Sequence, residues 1–348
     1  MSSATLLPQA GVLPVERPTA RWIISKNQDL TWFIGSSAVS YLALALFAAG
    51  FPILPIQLVW FFLVDGPHVA STVTRTYFDR AERSRLGWYL WLPVPLLLVG
   101  PAMAFAGQAS LFFLLAAIWQ QFHVVKQHFG FVMLYKAKNK ERDRNDFLLD
   151  RWFLLLSLFI PLGMFVIRTH LVLDAFAPLS WLRVAVLCGY GILAVMWLAR
   201  QAQKLRDGGL MNWPKLGLLA AVVPLQWLAL LYASHHGPGA IQLASIPLGL
   251  FHGLQYHRLM WFHNQNRYRQ PGAEERNGMA VQLAKSVGVY LAVAIGFNFL
   301  LSYLPVALFP SEAMQAAVWG FAFTHYLMDA KIWHVRSDKG LAAALQMG

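Results

Sequence analysis

Charge is what this 348-residue sequence has least of: Asp, Glu, Lys and Arg make up 13% of it, where soluble domains carry about 25%. That shortage excludes an ordinary solvated surface over the whole chain. Cysteine is nearly absent as well. A lone Cys188 in an apolar run excludes an internal disulfide framework and any cysteine-based zinc or iron–sulfur site. The opening stretch, MSSATLLPQAGVLPVERPTARW, lacks a charged start followed by an apolar core, so no cleavable signal peptide is expected. No internal repeat and no low-complexity tract interrupts the chain.

What is present is apolar surface. Hydrophobic residues make up 57% of the sequence, mean hydropathy is +0.48, and apolar stretches of about 20 residues recur from end to end. Ten spans are expected, near 32–50, 54–75, 87–106, 110–135, 152–169, 181–199, 215–234, 241–262, 286–306 and 314–335. They are too long for barrel strands and show no two-residue alternation. The fold class is therefore an all-α polytopic membrane bundle over 31–336, with an N-terminal segment 1–30 and a tail 337–348. Pro93, Pro95, Pro101, Pro161, Pro224 and Pro247 fall inside spans, where bundles tolerate them as kinks.

The formal charge of +12 suggests nucleic acid at first sight. The basic residues sit in short loops, however, so the lipid bilayer is the expected partner and nucleic acid is not. Arg17, Arg21 and Lys26 precede the first span, and Arg80, Arg83 and Arg85 follow the second. The fourth, sixth and eighth loops and the tail are basic too, whereas the first, third, seventh and ninth contain no Lys or Arg. Under the positive-inside rule this alternation predicts both termini and the 136–151 loop in the cytoplasm.

Eleven histidines are present, and they are not scattered. The second span carries Asp65 and His68, the fourth His123 and His128, the eighth His252, His257 and His263, and the tenth His325, Asp329 and His334. Counted from the flanking Arg75, Lys136, Arg267 and Arg336, His68, His128, His257 and His325 lie 7 to 11 residues in, or roughly 10–17 Å at 1.5 Å per residue. His123 and His252 lie somewhat deeper. Ionisable groups inside a membrane are costly and usually mark a functional site. Neutral imidazole and carboxylate are also good ligands for iron, copper or zinc. Asp65/His68 (i,i+3) and His325/Asp329 (i,i+4) each share a helix face. His123/His128 and His252/His257 are i,i+5, about 140° apart. Each such pair serves two metals or two sides of one site, or is realigned by a π-bulge.

Gln120, Gln127, Lys126, Tyr256, Arg258, His263 and His334 flank these ligand candidates and are expected around the metal or substrate. His235 and His236 read as an outer loop. The segments HVVKQH and HGLQYH resemble the first histidine box of the polyhistidine integral-membrane non-haem iron oxygenases and desaturases. The later boxes of that family are absent, and DGPHVA is loosely similar to a segment of the Brp/Blh-type carotenoid dioxygenases. The resemblance implies His68, His123, His128, His252, His257 and His325 as ligands, with Asp65 and Asp329 as ligands or orienters. It also implies mono- or dinuclear iron (or another transition metal), a hydrophobic substrate oxidised by O2, and a cytoplasmic electron donor where electrons are needed. Two other functions compete: a metal-ion or proton-coupled transporter, and a haem electron-transfer protein.

Overall fold

In the computed structural model, which describes residues 19–171 and 177–347, ten long helices follow one another, the eighth and ninth joined through two short helices at Ala273–Asn277 and Met279–Leu283. Eight are long and apolar enough to cross a membrane: α1 Lys26–Ala48, α2 Ile53–Tyr77, α3 Arg80–Phe105, α4 Ala109–Lys138, α5 Arg144–Thr169, α6 Ser180–Arg206, α7 Trp213–Ser234 and α9 Val287–Leu308. The other two, α8 Gln242–Tyr268 and α10 Glu312–Ile332, are of membrane-spanning length but more polar. No strand occurs among the described residues. The ten expected spans correspond to these ten helices, and the chain is an all-α, multi-pass bundle. The expected N-terminal segment lies outside the described residues up to position 18, as does the side chain of His170.

Several helix starts follow from local chemistry, because short polar side chains satisfy amide groups that have no partner within the helix. Asp79 caps α3 at Ala81 and Glu82, Asp143 caps α5 at Asp146, Ser286 caps α9 at Val289, and Ser311 caps α10 at Met314. The charged connections gather at one end of the bundle. Arg21 N–H donates to Asn139 Oδ1 (2.7 Å), and Lys138 Nζ donates to the carbonyl of Gln346. Arg267 pairs with Asp79 (3.0 Å), and Arg85 reaches Asp338 at 3.8 Å. The chain before α1, the loops after α2 and α4, the end of α8 and the C-terminal stretch thus share one end.

Four helices form the centre: α2 packs on α8 and α10, and both of these pack on α4. Around this core, α9 lies on α2, α3 on α10, and α1 on α8, while α5, α6 and α7 extend the bundle on one side. Helices α3, α6 and α9 leave most of their apolar windows exposed, as lipid-facing helices do. The approach of α2 to α8 needs glycine. A Cβ at Gly253 would lie 2.5 Å from Val64 Cγ1, and one at Gly249 would lie 2.5 Å from Trp60 Nε1.

The π-turns fall elsewhere than the i,i+5 pairs suggested. α4 and α8 are α-helical throughout, whereas α2 opens into a π-segment at Trp60–Asp65, just before His68. A π-turn loosens the backbone ladder, and carbonyls here are taken by side chains. Asn298 Nδ2 donates to Phe61 O (2.9 Å), and His257 Nε2 donates to Val64 O (3.0 Å).

Candidate metal centre

One histidine from each central helix points to the same spot. His68 of α2, His123 of α4, His252 of α8 and His325 of α10 are all buried, and one ring nitrogen of each lies within 4.8 Å of the others. The rings follow one another in a closed circuit of four. Centroids are 4.5 Å apart for His68–His325, 4.7 Å for His325–His123, 5.0 Å for His123–His252 and 4.9 Å for His252–His68. Neighbouring planes are steeply inclined, so nitrogens rather than ring faces meet at the middle. Nε2 of His252 and His68 are 3.2 Å apart, and Nε2 of His325 and His123 are 3.1 Å apart.

These separations suit a metal. Four nitrogens held about 2.0–2.1 Å from one ion sit about 3.0 Å apart along the edge of a square and about 3.4 Å apart in a tetrahedron. Tautomers favour it too. His68 Nδ1 donates to the carbonyl of Asp65 (2.6 Å), which leaves its Nε2 as a lone pair. His325 Nδ1 donates to Thr72 Oγ1 (2.7 Å), and Thr72 in turn donates to Asp329 Oδ1 (3.0 Å). The Tyr256 hydroxyl donates to the same carboxylate oxygen at 2.9 Å. Such oxygen partners on the far ring nitrogen fix the orientation of a metal-bound histidine and raise its basicity. His123 stacks on Tyr326, with centroids 4.4 Å apart. His252 Nδ1 is buried without a partner among the described residues.

Of the eight candidate ligands, four thus converge and four surround them. Asp65 holds His68 through its carbonyl, with its carboxylate 3.7 Å from the same nitrogen. Asp329 stands behind His325, its Oδ1 3.6 Å from Nδ1. His257 lies outside the four-nitrogen group, its ring 6.5 Å from that of His68 and both nitrogens engaged by Val64 O and Tyr290 Oη. His128 also lies outside, with Nδ1 bonded to Val124 O at 2.9 Å and its ring against Phe251. The physical reason is the unbroken α-helix: five residues turn the second imidazole away from the first. Depth counting grouped His68 with His128 and His257; the fold groups it with His123 and His252.

The flanking residues divide similarly. Tyr256 belongs to the shell around the imidazoles. Gln127 Nε2 donates to the carbonyl of His252 (3.0 Å) and so ties α4 to α8 beside the centre. Gln120 is half-buried on α4, and Lys126 is exposed there, its ammonium 5.4 Å from the Phe129 ring. Arg258 donates to Gln28 Oε1 (2.9 Å), joining α8 to α1. His263 is buried near Trp333, and His334 is exposed past the end of α10. Thr72 escaped the reading of the sequence, although it stands four residues after His68 and one helical turn away on the same face. Tyr290 and Asn298 carried no local signal, since their partners lie far away in sequence. No family profile, curated protein or solved structure matches this chain.

Proposed function

We propose that this chain is a multi-pass membrane metalloenzyme in which His68, His123, His252 and His325 hold a transition metal, iron by preference, that uses O2 to oxidise a lipid-soluble substrate. The convergence of four buried imidazoles carries this reading. Four neutral nitrogens leave a divalent ion its full charge. A transition metal held by these four residues would still be able to take further ligands, which O2 chemistry requires. When bound, the metal would supply the one-electron chemistry that O2 requires. The chain's own part is to orient the imidazoles, through Asp65 and through Thr72–Asp329–Tyr256, and to exclude water by burying the centre among apolar helices.

The positive-inside rule assigns the charged end to the cytoplasm. Electrons from a donor on that side would have a short aromatic route. Trp333 is half-buried near that end, its ring is 5.9 Å from Tyr256, and Tyr256 is 5.3 Å from His325. Haem fits poorly. Bis-histidine ligation needs facing nitrogens about 4 Å apart across a flat macrocycle (twice a metal–nitrogen bond of about 2.0 Å), and here four rings crowd the space that macrocycle would fill.

The test is metal analysis and absorption spectroscopy of purified protein, with lipid extracts of cells that express or lack the gene, grown with and without O2. Iron without a Soret band, and a product that needs O2 and disappears on chelation, is the expected result. A Soret band would return the haem reading. Solute movement in proteoliposomes that follows an ion gradient without O2 would make the chain a carrier.

A further inference from the structure

We propose a second site at the charged end, for an oxyanion of the phosphate class, built around Arg75. Arg75 lies on α2 two turns beyond His68, and it is 1% exposed. Its guanidinium sits 4.2 Å over the Trp333 ring, and Nη2 donates to Ile332 O (2.8 Å). Nε and Nη1 are buried without a partner among the described residues. Guanidinium has only donors and keeps its proton, and a buried charge is costly unless something pairs with it.

The acids nearby are already engaged. Asp79 accepts from Arg267 and from the Tyr268 hydroxyl, each at 3.0 Å, and Glu82 accepts from Arg85 and lies 3.2 Å from Arg267. Arg75 instead lines a recess of about 10 Å³, with Thr74, Asn264, Tyr268 and Tyr290 among its other walls. That volume holds one oxygen-sized atom.

Beyond it lies a cavity of about 220 Å³ that shares Tyr268 and Ala284 with the recess. Arg269, Lys285, Gln282 and Glu274 line this outer space. Glu274 accepts from Gln282 Nε2 at 2.8 Å, so the acid is partly occupied, while Arg269 and Lys285 are exposed cations. A tetrahedral oxyanion seated there would have two cations beside it and could direct one oxygen into the recess at Arg75. Planar guanidinium suits such oxygens better than any other side chain does. The same chemistry is offered by free phosphate and by the headgroup of an anionic phospholipid. This site stands whether or not the histidines hold a metal.

The experiment uses full-length protein in a neutral detergent, titrated with inorganic phosphate or with short-chain phosphatidylglycerol, against chloride at matched ionic strength. Bound phosphorus and the thermal midpoint are read together. Saturable binding that raises the midpoint is expected, with both probes if the source is free phosphate and with the phospholipid alone if it is a headgroup. Arg75→Gln should weaken binding about tenfold or more. Lys285→Gln, on an exposed side chain that cannot harm folding, should weaken it about threefold. The proposal is overturned if neither probe binds above the chloride background, or if Lys285→Gln binds both as the parent does.

Discussion

Two of the buried polar clusters among the described residues differ in what they lack. In the first, Asp150 is 1% exposed and Lys215 is fully buried. Lys215 Nζ is 3.0 Å from Asp150 Oδ2 and 3.0 Å from Glu141 Oε2, Lys136 shares both acids, and the Trp197 indole donates to Asp150 (2.9 Å). Lys204 and Arg200 complete the group around Asp146. Both signs of charge are present, so the cluster satisfies itself and joins α4, α5, α6 and α7. The second cluster is the four histidines. It contains one kind of group only, and two of its facing nitrogens are fixed as lone pairs by bonds on their far sides. Four converging imidazoles without a counter-charge among them could together hold a metal ion. The first cluster ties helices to one another, and the second converges on a point.

The largest expected effect tests that contrast directly. Replacing any one of His68, His123, His252 or His325 by alanine should remove metal from purified protein, while the helices still insert and the bundle still forms. Metal per polypeptide is the measurement. Full metal retention in two of the four variants would break the assignment. The complementary change is Asp150→Ala. It leaves two buried cations, Lys136 and Lys215, to share Glu141 alone, at a cost of about 3–5 kcal/mol, the usual range for breaking a buried pair. Unfolding in mixed micelles should show that loss, and whatever protein remains folded should hold its full complement of metal.

A finer distinction concerns the groups behind the imidazoles. Thr72→Val keeps the size of the side chain but removes the acceptor from His325 Nδ1 and the link to Asp329. Loss of such an outer partner lowers metal affinity by about 10–100-fold, with little change in fold. Competition against a chelator of known strength reads this directly. An affinity within twofold of the parent would mean that Asp329, already 3.6 Å from His325 Nδ1, takes over without Thr72.

The fold was legible because its signal is local and repeated: apolar runs of about 20 residues bounded by basic loops need no tertiary information. The helices that carry the site were legible for the same reason in reverse, since α8 and α10 are the polar members of the set. Which histidine on α4 and on α8 faces inward was not. Depth counted from a flanking charge assumes that the charge marks the membrane edge, and Arg75 and Lys136 are themselves buried, 1% and 3% exposed. An i,i+5 pair leaves two opposed choices, and only the packing of four helices decides between them. Asn298, whose carboxamide lies where a Cβ at Gly66 would be (1.9 Å to its Cγ), is invisible until α9 is laid against α2.

The smallest expected effect separates two of the three histidines of α8, His252 and His257. They are five residues apart in a polar stretch and equal in chemistry, the first buried and the second half-buried. His257 spends both nitrogens on protein: Nε2–H is given to Val64 O in the π-segment, and Nδ1 accepts from the Tyr290 hydroxyl at 2.9 Å. Its role is thus to close a carbonyl next to the ligand-bearing turn of α2. His257→Ala should therefore keep metal at the parent's stoichiometry. It should destabilise the bundle by about 1–3 kcal/mol, the cost of leaving a buried acceptor unsatisfied. His257→Gln, whose amide can still donate to Val64 O, should recover part of that loss. Thermal midpoints and metal content measured on both variants decide the matter. Loss of metal in His257→Ala, unrecovered in His257→Gln, would place this imidazole on the ion and turn the group of four into a site of five.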